Sequence, residues 1–343
     1  MITTLYIFFA VISFLIVFKS KNSKIRTGIL VFMAILLIIN AASRADDVSK
    51  DYSVYIYYWR LKFLKDVEIS FIHIRNLLKN VFQWPSISLF IVYAILGVSV
   101  KVYSIKLFTK YVFASLLVYL SHYYVLHELT QIRVGVASGF FLIGLYYIAE
   151  RNFFKFLLFT CIAGYFHYSA FLALPLWFIY NDQRKLNIYP FLIPLGYIIY
   201  FAGSNLIVNL PIPYVQEKVR VYEQLRDLGF EDTDKINVFN AVFLMRVLIL
   251  FVLFFFRKKI LPENPYIFML LKIYTISLFT FTALASIPAF AFRIQELFGV
   301  VEILLFPSLA FIFNNKVMGY ALVILTALSV MSIDIFYGKL ILY

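Results

Sequence analysis

The sequence predicts an all-α fold, a polytopic transmembrane helical bundle of about 11–12 spans with short amphipathic helices on its non-cytoplasmic side. Three observations predict it. Hydrophobic residues fill 63% of the 343 positions and charged residues only 14%, whereas soluble domains average about 45–50% apolar and about 25% charged. Apolar stretches close to the roughly 20 residues that cross a bilayer core recur from one end of the chain to the other. No polar stretch is long enough for a separate soluble domain, so residues 1–343 read as one integral membrane domain with non-cytoplasmic loops at about 44–85 and 205–237.

Taken in order, the candidate spans are residues 2–18, 27–43, 86–100, 111–126, 134–149, 153–166, 168–180, 187–204, 238–256, 266–288, 294–313 and 317–334. They are expected to be helices because lipid forces backbone hydrogen bonds to close within the segment. Residues 1–18 lack a basic n-region and an A-x-A site, and read as an uncleaved first span. Residues 153–180 cover about 42 Å at about 1.5 Å per residue, long for one span and short for two. A single span there would put Arg257, Lys258 and Lys259 on the wrong side. Two short or re-entrant segments meeting near His167 are therefore expected, an arrangement tolerated where it lines a cavity. The single cysteine, Cys161, lies in an apolar run and reads as packing.

Net charge is +13, which in a soluble protein would suggest nucleic acid. Here the positive-inside rule accounts for it, and no nucleic-acid partner is expected. Lys19, Lys21, Lys24 and Arg26 form one basic cluster, and Lys101, Lys106 and Lys110 another. Arg151 with Lys155, Arg184 with Lys185, Arg257 to Lys259, and Lys316 follow. If the N-terminus starts outside, all of them alternate onto the cytoplasmic face.

The two outer loops differ in kind. In the second half of 44–85, Val67, Phe71, Ile74, Leu78 and Val81 keep helical spacing while Glu68, Arg75 and Lys79 share another face. That pattern predicts an amphipathic helix lying on the outer membrane interface. Residues 205–237 mix charges, are too polar to cross, and are expected to form a short surface helix.

His73, His122, His127 and His167 show no metal-ligand spacing, and there is no DxD motif for nucleotide-sugar phosphates. No metal or cofactor is expected, and donors from the nucleotide-sugar pool are disfavoured. Arg44, Arg133, His167, and Arg293 with Glu296 all fall at outer span ends. Ionisable groups at membrane depth cost about 2.5–3.5 kcal/mol and face a bundle interior or cavity. Snorkelling explains any one of these arginines equally well; their common side argues for a shared function. Gly135 and Gly139 form a small-xxx-small pattern expected to pack helices closely. The aromatics Tyr52, Tyr55, Tyr57, Tyr58 and Trp59 suit an interfacial belt and also suit stacking on sugars.

Several short motifs occur in order: Arg44, then Asp51-Tyr52-x-x-Tyr55, then Glu68-x-x-Phe71. Gln131-x-Arg133-x-Gly135-x-Ala137, Phe166-His167-x-Ser169-Ala170 and Phe292-Arg293-Ile294-x-Glu296-x-Phe298 follow. Together with the topology, they resemble the EpsG-type branch of the Wzy-like polysaccharide polymerases, over most of the chain. The resemblance implies a metal-independent glycosyltransferase on the periplasmic face of the bacterial inner membrane. It would move a growing glycan from undecaprenyl pyrophosphate onto the next lipid-linked repeat unit. A chain-length regulator and a flippase of the same pathway are the implied partners, beside the bilayer itself.

On that reading Arg133 and Arg293 stabilise the leaving pyrophosphate, as does Arg44, because a guanidinium fork binds phosphate oxygens and stays charged. The base that takes the proton of the attacking hydroxyl comes from His167, Asp51, Glu128 or Glu296, with His167 first and Asp51 next. Arg44, Tyr52, Tyr55, Glu68, Glu128 and Glu296 are the expected substrate-binding residues, Glu68 acting mainly to position the interfacial helix. A lipid-linked oligosaccharide flippase would instead spread cations along a path open to both faces, often in repeated halves. An O-antigen ligase would use the same donor and similar arginines.

Overall fold

The computed structural model describes residues 1–18, 22–44, 48–64, 67–202, 224 and 236–341. Among them every regular segment is helical. Among the described residues each of the twelve apolar stretches is largely helical, and five helical runs, some of them made of consecutive helical pieces, are both long and apolar enough to cross a membrane: Ser23–Ala42, Ile87–Phe108, Ile132–Ala149, Phe290–Phe311 and Lys316–Tyr337. The protein is an all-α, multi-pass membrane protein. The surface helix expected in 205–237 falls, apart from residues 224, 236 and 237, outside the described residues, as do Lys19 and Lys21.

Two compact units emerge. The first comprises Met1–Phe178, Pro262–Asn264 and Glu302–Tyr343; the second comprises Ile179–Leu261 and Pro265–Val301. In the first unit α1 (Ile2–Val17) and α2 (Ser23–Ala42) lead to α3 (Lys50–Arg60) and α4 (Ile69–Asn76). Then come α5 (Ile87–Phe108), α6 (Val112–Val118), α7 (Ile132–Ala149) and α8 (Phe153–Phe166). Asparagine side chains cap several helix starts: Asn22 accepts from the Lys24 amide and Asn152 from the Lys155 amide, satisfying donors that the first turn leaves open. Helix α7 packs between α5 and α8, with α2 beyond α5. A Cβ at Gly139 would stand 2.9 Å from Val100 Cγ1, so the expected close approach of small residues is what brings α7 against α5.

Residues 153–180 break where expected. Helix α8 stops at Phe166, His167 is extended at φ −155° and ψ 120°, and Tyr168–Phe178 winds back as a 3-10 helix packed on α8. Cys161, by contrast, is exposed on α8 rather than packed.

Helix α4 forms as predicted and continues as a π-helical turn, Leu77–Val81, but its polar face is turned inward. Arg75 is buried and donates to the main-chain carbonyls of Trp59 and Leu61, and Lys79 Nζ reaches Trp59 O at 2.7 Å. These are carbonyls that the end of α3 leaves without intrahelical partners, and cations suit that end. Ile69, Leu77 and Val81 are exposed instead, followed by Phe82 and Trp84 stacked at 5.1 Å. The apolar set is thus divided between a core side (Val67, Phe71, Leu78) and an open side.

In the second unit the 3-10 turn Leu186–Phe191 precedes α9 (Leu192–Ala202), followed by α10 (Ala241–Ile260), α11 (Ile267–Ala283) and α12 (Pro288–Gly299). Helix α11 is central, contacting α9, α10 and α12. Lys272 on α11 is buried, with Tyr180 O at 2.8 Å and the Asp182 carboxylate at 3.2 Å, which explains how a cation sits inside this span.

Candidate active site

Seven of the residues singled out in the sequence meet in the first unit, around a core of rings. Helix α3 supplies Asp51, Tyr52 and Tyr55, α4 supplies Phe71, α5 supplies Phe90 and Tyr93, and α8 ends in Phe166. Tyr52 stacks flat on Phe90 with centroids 4.6 Å apart, and the Arg44 guanidinium lies 4.3 Å from the centroid of the same ring. Arg133 sits in the first turn of α7, its guanidinium carbon 5.7 Å from the centroids of both Tyr55 and Phe71. The rings offer faces to both cations.

Glu68 ties the cluster together. It occupies the N-cap position of α4, yet its carboxylate does not cap its own helix. One oxygen pairs with Arg133 and the other lies 2.5 Å from His167 Nδ1. The extended backbone at the end of α8 is what turns His167 toward it. A carboxylate on Nδ1 fixes that nitrogen as the proton carrier and leaves the lone pair on Nε2.

The charges respond to this packing. Burial alone would raise the Glu68 carboxyl, but the His167 hydrogen bond and the Arg133 charge outweigh it and hold Glu68 below the ordinary carboxylate value. Burial pushes Asp51 up, with Arg133 opposing part of the rise. Tyr55 is pushed up to about 12 by burial against the field of Arg133. Burial lowers Arg44 to about 10, so it stays charged near neutrality. Arg44 Nη1 donates to the Glu128 carbonyl at 2.6 Å, while Nε and Nη2 are buried with no partner among the described residues. Two buried, unanswered donors on a cation are a costly arrangement that an anion would relieve.

The profile of the EpsG family matches residues 27–341. The chain belongs to the EpsG family. Among curated proteins it is similar to the amylovoran biosynthesis protein AmsC of Erwinia amylovora, 25% identical over an alignment of 236 residues that covers 66% of this chain. The chain spans 60% of the length of that relative. No solved structure matches it significantly.

Three regions depart from the reading of the sequence or go beyond it. Glu128 is 1% exposed and forms an ion pair of 2.6 Å with Lys101, itself 0% exposed. Lys101 is therefore not part of a cytoplasmic basic cluster with Lys106 and Lys110: α5 runs on to Phe108, two turns past the expected span end, and carries Lys101 inside. In the structure Gly97, Lys101, Ser104 and Phe108 form a buried stripe at helical period on α5. Next, Tyr119–Glu128 is a ten-residue π-helix, buried on every side, and π-helical segments occur often at functional sites. Its His122 pairs with Asp334 at 2.5 Å and His127 Nδ1 lies 3.1 Å from Ser138 Oγ, contacts that no spacing in this EpsG-family sequence announces. Lastly, Arg293 and Glu296 belong to the second unit, three residues apart on α12, with Arg293 exposed. Pro288 opens that helix, ahead of the expected span start at 294, and places Arg293 inside it.

Proposed function

We propose that the protein is a polysaccharide polymerase, a glycosyltransferase that joins undecaprenyl-pyrophosphate-linked repeat units at the periplasmic face of the bacterial inner membrane. Membership of the EpsG family and the likeness to a protein named for amylovoran biosynthesis support polysaccharide assembly. The observation that carries the chemistry is Glu68 gripping Arg133 with one oxygen and His167 with the other.

A sugar hydroxyl of the acceptor attacks the anomeric carbon of the donor. The bond from that carbon to the pyrophosphate oxygen breaks, and the electron pair leaves with undecaprenyl pyrophosphate. The hydroxyl proton passes to His167 Nε2, the nitrogen not committed to Glu68. Glu68 fixes the ring and stabilises the imidazolium, the role a carboxylate plays behind a catalytic histidine. Arg133, and Arg44 with its two open donors, face the growing negative charge of the leaving group. Asp51, made more basic by burial, serves as a second proton acceptor, and the buried rings of Tyr52 and Tyr55 back Arg44 and Arg133 rather than facing sugars.

A strain lacking the gene, complemented with variants expressed at wild-type level, tests this on a glycan gel. His167→Ala and Arg133→Ala should leave surface glycan of one repeat unit. Full-length ladders from both would overturn the reading; loss of all surface glycan would point to a flippase, and free lipid-linked polymer to a ligase.

A further inference from the structure

The ion pair of Lys101 and Glu128 is sealed from solvent, so neither group touches substrate. Their bonds nevertheless lead to both arginines of the site. Lys101 Nζ donates to Glu128 Oε1 and to the Gly135 carbonyl, each at 2.6 Å. The main-chain carbonyl of Glu128 is the acceptor for Arg44 Nη1, and Gly135 lies two residues beyond Arg133 on α7. One ammonium thus holds the residue that anchors Arg44 and the turn that carries Arg133. Tyr119 hydroxyl adds a second bond to Glu128 Oε1 at 3.0 Å.

The surroundings are shaped for this pair. A Cβ at Gly97 would collide with Glu128 Oε2, and one at Gly135 would stand 3.0 Å from it, so the glycine at 97 makes the carboxylate's room and the one at 135 eases it. The Glu128 carbonyl is one of those a helix end leaves open, and it gives Arg44 its one hydrogen bond among the described residues. The position of that carbonyl therefore sets where the two open donors of Arg44 point. An apolar pair of similar volume would fill the space at least as stably, but would not fix a carbonyl on one side and a helix turn on the other.

We infer that Lys101 and Glu128 are a positioning pair, which sets Arg44 and Arg133 at the spacing that binds a diphosphate. The inference rests on the proposed reading of the site. The test uses the full-length protein in detergent, with inorganic pyrophosphate as the probe for binding and lipid-linked repeat units for turnover. Wild type, Arg44→Ala, Glu128→Gln and the double variant K101M/E128L are compared for melting temperature, pyrophosphate affinity, kcat and KM. The expected result is a double variant that melts close to wild type yet binds pyrophosphate at least tenfold more weakly, with kcat falling more than KM rises.

A double variant with wild-type melting, affinity and kcat overturns the positioning role while Arg44→Ala still loses pyrophosphate. Wild type that binds no pyrophosphate overturns the underlying reading of the site, and this inference with it. Should K101M/E128L fail to accumulate, Glu128→Gln decides. It keeps the volume and a hydrogen bond to Tyr119, so a tenfold loss of affinity supports the pair and unchanged affinity sinks it.

Discussion

Two clusters in the first unit use the same ingredients, a carboxylate shared with a cation beside aromatic rings, and differ in what they leave open. At Glu68 the partners Arg133 and His167 keep 21% and 15% of their side-chain surfaces exposed. At Glu128 the partner Lys101 keeps none. Where solvent and substrate reach a paired cation, its remaining donors do chemistry. Where nothing reaches it, the pair sets only where backbone lies. The distinction comes from location: Glu68 stands at a helix start in a loop-rich region, while Glu128 ends a π-helix inside the bundle.

Several substitutions break or sharpen that contrast. The largest expected effect is on turnover at the open cluster: His167→Ala should slow polymerisation by roughly 10²–10⁴-fold without lowering the amount of folded protein in membranes. At the sealed cluster the order reverses. Lys101→Met alone leaves Glu128 buried and unpaired and should cost about 3–5 kcal/mol, seen as loss of folded protein by detergent thermal melts, whereas removing both charges should recover most of it. An equal melting loss for single and double variants would contradict the pairing.

Glu68→Gln falls between. It keeps the shape but loosens both His167 and Arg133, and should lower kcat while the protein still folds. Its pH behaviour carries a sign. Because folding holds Glu68 below its ordinary value of 4.5, its pairing contributes fully above that value and is lost as pH falls through the lowered one. Wild type should lose thermal stability below about pH 4.5, and Glu68→Gln should lose less over the same range. The smallest effects belong to residues outside both clusters. Arg75→Met, which frees the Leu61 carbonyl at the end of α3 while Lys79 still holds that of Trp59, should cost about 1–3 kcal/mol with polymer length unchanged. Cys161→Ser, on an exposed face, should stay within about 0.5 kcal/mol of wild type.

The sequence made the helical bundle legible because lipid allows few other arrangements, and apolar runs of the right length mark each helix. It also made the break at His167 legible, since residues 153–180 fit neither one span nor two. The inward turn of Arg75 and Lys79 was not visible. Helical spacing separates polar from apolar positions, but whether the polar side meets water or the carbonyls of α3 depends on a neighbour distant in sequence. Lys101 was hidden for a related reason: a lysine near a span end obeys the positive-inside pattern, and only its acidic partner, 27 residues on, shows that it lies inside. For the site, residue types were readable singly. That Glu68 joins Arg133 to His167 was not, because the three come from separate helices.

That junction is the central claim, and the chain-length distribution of glycan made by purified protein from lipid-linked repeat units tests it most directly. Wild type should give a ladder of many repeats, and His167→Asn, with melting temperature unchanged, should stall at one. A wild-type ladder from folded His167→Asn protein would contradict it.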